Sequence, residues 1–109
     1  MVSYPRRDEV WLIALDPSKG SEIKKTRPCL VISPDEMNEP LQTALVAPMT
    51  TTLRSYPTRV KVTFRNKMGQ IALDQLRAVD RQRLVRKLGS VSTKTAHEVG
   101  SVLVEMFVR

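Results

Sequence analysis

Val60-Lys61-Val62-Thr63-Phe64 alternates apolar with charged or polar side chains, and runs through Asn66-Lys67-Met68-Gly69 into Gln70-Ile71-Ala72-Leu73. Successive side chains of a strand point to opposite faces, so this period of two describes a half-buried antiparallel strand. The intervening residues have turn character, and the two runs together read as a hairpin. Upstream, Val10-Trp11-Leu12-Ile13-Ala14-Leu15 is short, apolar and β-prone, and Asp16-Pro17 ends it. A polar loop occupies 18–26. Arg27-Pro28 opens a second strand over 29–32, closed by Ser33-Pro34-Asp35; proline suits a strand's first residue, where no ladder donor is lost inside the sheet. Residues 43–47 give a third strand ended by Pro48, and the hydroxyl-rich loop Thr50-Thr51-Thr52 leads to Ser55-Tyr56-Pro57. Downstream, Asp74-Gln75-Leu76 continue towards Arg77, and Lys87-Leu88-Gly89 is a candidate to close the sheet.

The tail differs in kind. Ser92 suits a helix N-cap, and Ala96, Val99, Leu103 and Met106 recur at helical spacing, with Val102 and Phe107 widening the stripe. Gly100 weakens such a helix by about 1 kcal/mol relative to alanine. The expected class is therefore mainly β (α+β), several short strands followed by one packing helix, with no internal repeat or linker.

The 109 residues make a single domain spanning 1–109, with room for one modest core and none for separate nucleotide and substrate domains. Four glycines, none in a G-x-G-x-x-G or P-loop pattern, leave no phosphate-cradling loop for a dinucleotide or nucleoside triphosphate. The net charge of +7 attracts phosphate backbones at long range and makes affinity salt-dependent; an acidic protein partner would answer the same charge. Cys29 is the sole cysteine, so no intrachain disulfide forms, and its apolar neighbours mark it as a buried small hydrophobe. Arg6, Arg7, Asp8 and Glu9 interrupt any N-terminal signal core, and no stretch approaches the roughly 20 apolar residues of a membrane span. A reducing cytoplasm is the expected location.

The single histidine, His97, falls in the tail helix on its polar side, far from the loops, and reads as a solvated residue. A two-histidine ribonuclease is excluded by count, and one His, one Cys and scattered carboxylates make no metal-ligand spacing. No cofactor is expected. The adjacent Asp35 and Glu36 are explained by a turn. What remains is Lys19-Gly20-Ser21-Glu22, then Arg27-Pro28, with Thr50, Thr51 and Thr52 across the sheet. Glu22 is able to accept a proton, Arg27 to clamp a phosphate with its planar fork of donors, and the threonines to offer hydroxyls to phosphate oxygens. A solvated loop and ordinary turn threonines account for the same residues, and spacing alone leaves both readings open.

Asp16-Pro17-Ser18-Lys19-Gly20-Ser21-Glu22 leading to Thr26-Arg27-Pro28 resembles the N-terminal signature of the MazF/PemK/Kid toxins of bacterial toxin–antitoxin systems. The likeness continues in the same order through Val31-Ile32-Ser33-Pro34, Val46-Ala47-Pro48-Met49-Thr50-Thr51, Tyr56-Pro57, Leu73-Asp74-Gln75-Leu76-Arg77 and Leu88-Gly89. It implies a homodimer of SH3-like small β-barrels, each with a C-terminal helix, the fold shared by MazF, CcdB and Kid. It also implies sequence-selective cleavage of single-stranded RNA and inhibition by a cognate antitoxin. By the same resemblance Arg27 matches the catalytic arginine and Thr50 the catalytic threonine. Glu22 takes the acidic position of the first loop, and Asp74 matches an aspartate that Kid-type members use as base or orienting group. Kid-type members carry a catalytic arginine two residues before that aspartate; here the position is Ala72, which leaves Arg27 to supply the cationic function alone, as in MazF-type members, or Arg77 to cover part of it.

The chemistry that fits this inventory is metal-independent attack of a ribose 2′-hydroxyl on the adjacent phosphate, giving a 2′,3′-cyclic phosphate and a free 5′-hydroxyl. Glu22 or Asp74 would take the proton, and Arg27 and Thr50 would hold the charge growing on the phosphate. RNA lying across the dimer would meet Lys19, Ser21, Lys24, Lys25, Thr51, Arg77 and Arg81, with Tyr56 as a stacking surface. The antitoxin is expected to be acidic and to compete for the groove that phosphates use. Two rivals carry different consequences. A gyrase poison resembling CcdB would share the fold, but Glu105-Met106-Phe107-Val108-Arg109 lacks the tryptophan-glycine-isoleucine end on which that family relies. A non-catalytic nucleic-acid-binding module would show the same basic charge.

Overall fold

The structure is a computed structural model that describes residues 3–15 and 25–109. Its strands are β1 (Glu9–Leu15), β2 (Lys25–Val31), β3 (Thr43–Thr50), β4 (Arg59–Phe64), β5 (Lys67–Ala72), β6 (Arg77–Asp80) and β7 (Leu84–Ser90). A short helix α1 (Asp35–Asn38) follows β2, and α2 (Thr93–Phe107) ends the chain. The strands form one sheet in the order β4-β5-β3-β2-β1-β7, with β6 also paired to β3. Every pairing is antiparallel.

The two apolar runs nearest the N-terminus lie in the middle of this sheet, which is why they do not alternate. Leu30 belongs to one core with Val10, Ala47, Ile71 and Leu73, against which α2 lays Val99, Val102, Leu103 and Met106. Its neighbours Cys29 and Val31 point the other way, into a second cluster with Ile13, Leu15, Val46 and Val79. A strand covered on both faces needs apolar residues at consecutive positions. Irregularities in the β1–β7 ladder after Val10 and Leu12 bend β1, as bulges do, and curl the sheet.

The hairpin read from the sequence is present, but its turn sits two residues earlier. Phe64 pairs with Lys67, so Arg65 and Asn66 form a two-residue loop, with φ of 50° and 63°. Positive φ at both central residues is what the right-handed strand twist asks of such a loop, and asparagine adopts it readily. Gly69, expected in the turn, is inside β5. Its role is close approach: a Cβ there would stand 2.6 Å from the Thr50 carbonyl oxygen.

Pro48 does not end β3, contrary to the expectation from sequence. The strand runs through it to Thr50, and Pro48 falls where β3 changes partner along one edge, from β6 at Val46 to β5 at Met49. A missing donor is tolerated at such an irregularity. Between those two ladders Leu73–Gln75 makes a 3₁₀ turn, and the chain re-enters the sheet as β6, a strand not anticipated from the sequence. Asp35 and Glu36 open α1 rather than a simple turn.

β7 pairs with β1, and the barrel is completed by side chains: the Phe64 ring lies 3.2 Å from where a Gly89 Cβ would be, and Arg65 Nη2 donates to the Leu88 carbonyl. Gly89 has φ of 156°, so only glycine meets both demands at this seam. The helix begins as read, with the Ser92 hydroxyl accepting from the Thr95 amide at 3.2 Å. Among the described residues no helix is long and apolar enough to cross a membrane.

Candidate active site

β2 and β3 are hydrogen-bonded through Val31↔Val46, Leu30↔Ala47 and Cys29↔Pro48, and there the ladder stops. Continuing the register puts position 27 opposite position 50. The strands part at this point, and the gap is a cleft of about 200 Å³ lined by Arg27, Pro28, Thr50, Thr51, Lys67 and Gln70, over a floor of Met49, Val62 and Phe64. Two residues 23 apart in sequence, each two positions beyond the last β2–β3 pair, therefore face one solvent-accessible space with a second cation, Lys67, beside them.

Thr50 is held more firmly than a loop threonine. Only 8% of it is exposed, Gly69 lies against its carbonyl, and its Oγ accepts a hydrogen bond from the Thr52 amide at 3.1 Å. With one acceptor site of the hydroxyl occupied, its proton remains to be donated, which suits an oxygen carrying negative charge. Arg27 is half-buried near the start of β2. Two residues further along the strand, burial pushes the Cys29 thiol up to about 12, against the opposing charges of Arg77 and Arg27. Both guanidiniums thus bear on the same residue, and the thiol beside them is neutral.

Gln70 escaped the sequence reading. It is 4% exposed, and its carboxamide both accepts from the Arg54 amide and donates to the Arg54 carbonyl, each at 3.0 Å. It fastens the exposed 51–57 loop as a neighbouring strand would. The available signal was a carboxamide inside Gln70-Ile71-Ala72-Leu73, where a buried polar group requires partners.

Asp74 does not line this cleft. The 3₁₀ turn directs it to Arg59, whose Nε and Nη2 meet its two oxygens at 2.7 and 3.2 Å, while the Thr58 hydroxyl donates at 3.1 Å. Partial burial pushes the carboxyl up, but the hydrogen bonds from Arg59, its own backbone amide and Thr58, with the Arg59 charge, outweigh this and hold it below the usual range. Arg59 stands opposite Ala72 in the β4–β5 ladder. The cation absent at position 72 is thus met by one on the facing strand.

The remaining candidates separate. Glu22, Lys19, Ser21 and Lys24 lie outside the described residues. Lys25 is exposed at the first position of β2 with φ of 70°, and Thr51 is exposed at the cleft wall. Tyr56 is 50% exposed, with the Arg59 guanidinium 5.2 Å from its ring centre. Arg77 is half-buried on β6. Arg81 is committed elsewhere: it donates to the carbonyls of Ser3 at 2.8 Å and Leu41 at 3.1 Å, tying two backbone segments together. His97 is exposed on α2, away from the cleft. Among the described residues no group of three His, Cys, Asp or Glu side chains is placed to hold a metal ion.

Comparison with known proteins bears on this arrangement. Residues 6–107 match the family described as PemK-like, MazF-like toxin of type II toxin–antitoxin system. An endoribonuclease MazF9 of Mycobacterium tuberculosis is 30% identical over 108 residues, covering 90% of this chain and 92% of that protein. An endoribonuclease MazF of Staphylococcus saprophyticus is 34% identical over 104 residues, covering 90% and 87%. Among solved structures, MazF from Deinococcus radiodurans superposes with a TM-score of 0.85 at 24% identity, over 99% of this chain and 100% of that one. A mycobacterial endoribonuclease in complex with its cognate antitoxin gives 0.77 at 24% identity, over 93% and 92%. At these identities the structural likeness is one of fold: a mainly β sheet with a C-terminal helix.

Proposed function

The chain belongs to the PemK-like, MazF-like toxins of type II toxin–antitoxin systems, and on that premise we propose that it is an endoribonuclease cutting single-stranded RNA in the Arg27–Thr50 cleft. The observation that carries the assignment is the convergence of Arg27 and Thr50 on one cleft at the point where β2 and β3 part.

The scissile phosphate sits between them. The ribose 2′-oxygen forms a bond to phosphorus and its proton passes to Glu22. The bond from phosphorus to the 5′-oxygen breaks, and water protonates the leaving oxygen. The products are a 2′,3′-cyclic phosphate and a 5′-hydroxyl. Arg27 and the Thr50 proton stabilise the charge that grows on the non-bridging oxygens, a contribution that is large when donors are fixed before the reaction. Arginine's pKa above about 12 makes it an electrostatic group here rather than a proton donor. Asp74, already neutralised by Arg59, is the second candidate for base, behind Glu22.

The partners follow from charge. A chain of net +7 binds RNA through phosphate contacts, with Lys25, Lys67 and Arg77 as candidates beside the cleft, and an acidic antitoxin competes for the same surface. The toxin works in the cytoplasm as a homodimer that carries the RNA across both protomers. One substrate tests the chemistry: RNA with a 2′-deoxy sugar at the scissile nucleotide. Cleavage there is expected to disappear while neighbouring sites are still cut; continued cutting at the deoxy position would rule out 2′-hydroxyl attack.

A further inference from the structure

Loop 51–57 is exposed along its length, yet three described contacts fix it. The Thr52 amide bonds to Thr50 Oγ, both polar backbone groups of Arg54 bond to Gln70, and the Arg59 amide donates to the Tyr56 carbonyl at 3.1 Å. The last contact has a side-chain counterpart. The Arg59 guanidinium lies 5.2 Å from the Tyr56 ring centre, its own position set by the two-point grip on Asp74 and by Gln70 Oε1 at 3.5 Å. The Arg59 side chain is only 8% exposed, so this pair is not a solvent-diluted surface contact. Tyr56 itself remains 50% exposed. One side of the ring is backed by a fixed cation and the rest is open to solvent, at the end of the loop that leaves the cleft wall at Thr51.

We infer that Asp74, Arg59 and Tyr56 form a base-stacking platform that receives an unpaired nucleobase of the bound RNA outside the cleft, at the far end of the loop that starts from its wall, with Asp74 and Arg59 as positioning residues. This deepens the ribonuclease reading and rests on it. A flat π-surface stacks on any base, and a guanidinium held against its other face fixes the ring's orientation before RNA arrives. The arrangement uses the two carboxylate oxygens of Asp74 for geometry. A carboxylate held by a guanidinium fork and a hydroxyl, with its pKa lowered by them, is a weaker proton acceptor than an unpaired one.

The test separates binding from chemistry. Short fluorescent single-stranded oligonucleotides of mixed sequence, fully 2′-O-methylated and hence uncleavable by this route, report affinity whether or not the protein cuts RNA. Tyr56→Ala is expected to weaken binding about tenfold, the size of one lost stacked base, and Tyr56→Phe to recover most of it. Asp74→Asn, which loosens Arg59, is expected to weaken binding in the same direction; on cleavable RNA its defect appears in KM, and the acid limb of the kcat–pH profile stays in place. Wild-type affinity in Tyr56→Ala overturns the platform. So does an Asp74→Asn protein that binds normally but loses kcat, since the carboxylate would then act in the chemistry. Should Asp74→Asn fail to fold, the Tyr56 pair decides alone, because that ring is on the surface. Loss of RNA cutting by the wild type, with these affinity differences intact, would instead count against the nuclease assignment.

Discussion

A threonine hydroxyl that already accepts a backbone hydrogen bond has its proton left to give, and Thr50 is in that state at the cleft wall. Thr50→Val keeps the shape and removes the donor, so kcat is expected to fall by about a hundredfold with little change in KM, the scale seen when one fixed oxyanion donor is lost. Thr50→Ser should retain most of the rate. Gly69 governs the same spot from the other side. Its missing Cβ leaves room for the Thr50 carbonyl, and Gly69→Ala would force backbone apart at a 2.6 Å contact. Destabilisation of about 1–3 kcal/mol is expected in urea melts, typical of overpacking where backbone must yield. At this scale the sequence was partly legible. Arg27 and Thr50 stood out through the resemblance, while their spacing alone left a solvated loop equally acceptable. Gln70 and Arg59 were not legible, because their importance lies in what they touch across the sheet: the Arg54 backbone and the Asp74 carboxylate.

Among the elements, the Gln70–Arg54 contact joins β5 to the loop that follows β3. Gln70→Leu fills the buried site but cannot hold the loop. The Arg54 amide should then lose its protection in hydrogen exchange while the core amides of β2 and β3 keep theirs; unchanged protection would show that the loop is fastened by something else. The helix was readable because its apolar stripe repeats at the helical period and Ser92 caps it. Ser92→Ala is expected to cost about 1 kcal/mol in thermal or urea unfolding. β6 was not readable: Arg77-Ala78-Val79-Asp80 buries only Val79, and the 3₁₀ turn before it breaks the strand pattern. Pro48 misled for a related reason. Proline stops a regular ladder, but here it occupies the place where β3 exchanges one neighbour for another. The hairpin turn moved because positive φ fell on Arg65 and Asn66, leaving the glycine to serve a contact instead.

For the molecule as a whole, acid stability follows from two carboxylates tied into the fold. Glu9 accepts from the Arg6 amide, Trp11 Nε1 and Lys87 Nζ, each at 2.9 Å; burial pushes its carboxyl up, but these partners outweigh burial and hold it below the usual value of 4.5. Asp74 is likewise held below 3.8. A depressed folded pKa means that the unfolded chain binds protons first, so the stabilisation is complete above the unfolded values and is lost as pH falls through the folded ones. Urea stability is therefore expected to be flat near neutrality and to decline below about pH 4.5; Glu9→Gln should shrink that decline. The mainly β class with one C-terminal helix was legible from the runs and their periods. The closure of the barrel was not, since it depends on Phe64 and Arg65 meeting Gly89 and Leu88 from a distant strand.

We propose that Arg27, acting with Thr50 in the β2–β3 cleft, makes this chain a sequence-selective ribonuclease. The most direct measurement incubates the purified protein and its Arg27→Ala variant with a long single-stranded RNA in EDTA, then maps the new ends. Discrete cuts by the wild type are expected, bearing 2′,3′-cyclic phosphate and 5′-hydroxyl termini, and absent with a folded Arg27→Ala protein. Equal cutting by both proteins, or binding of RNA by both with no cutting, would contradict this proposal.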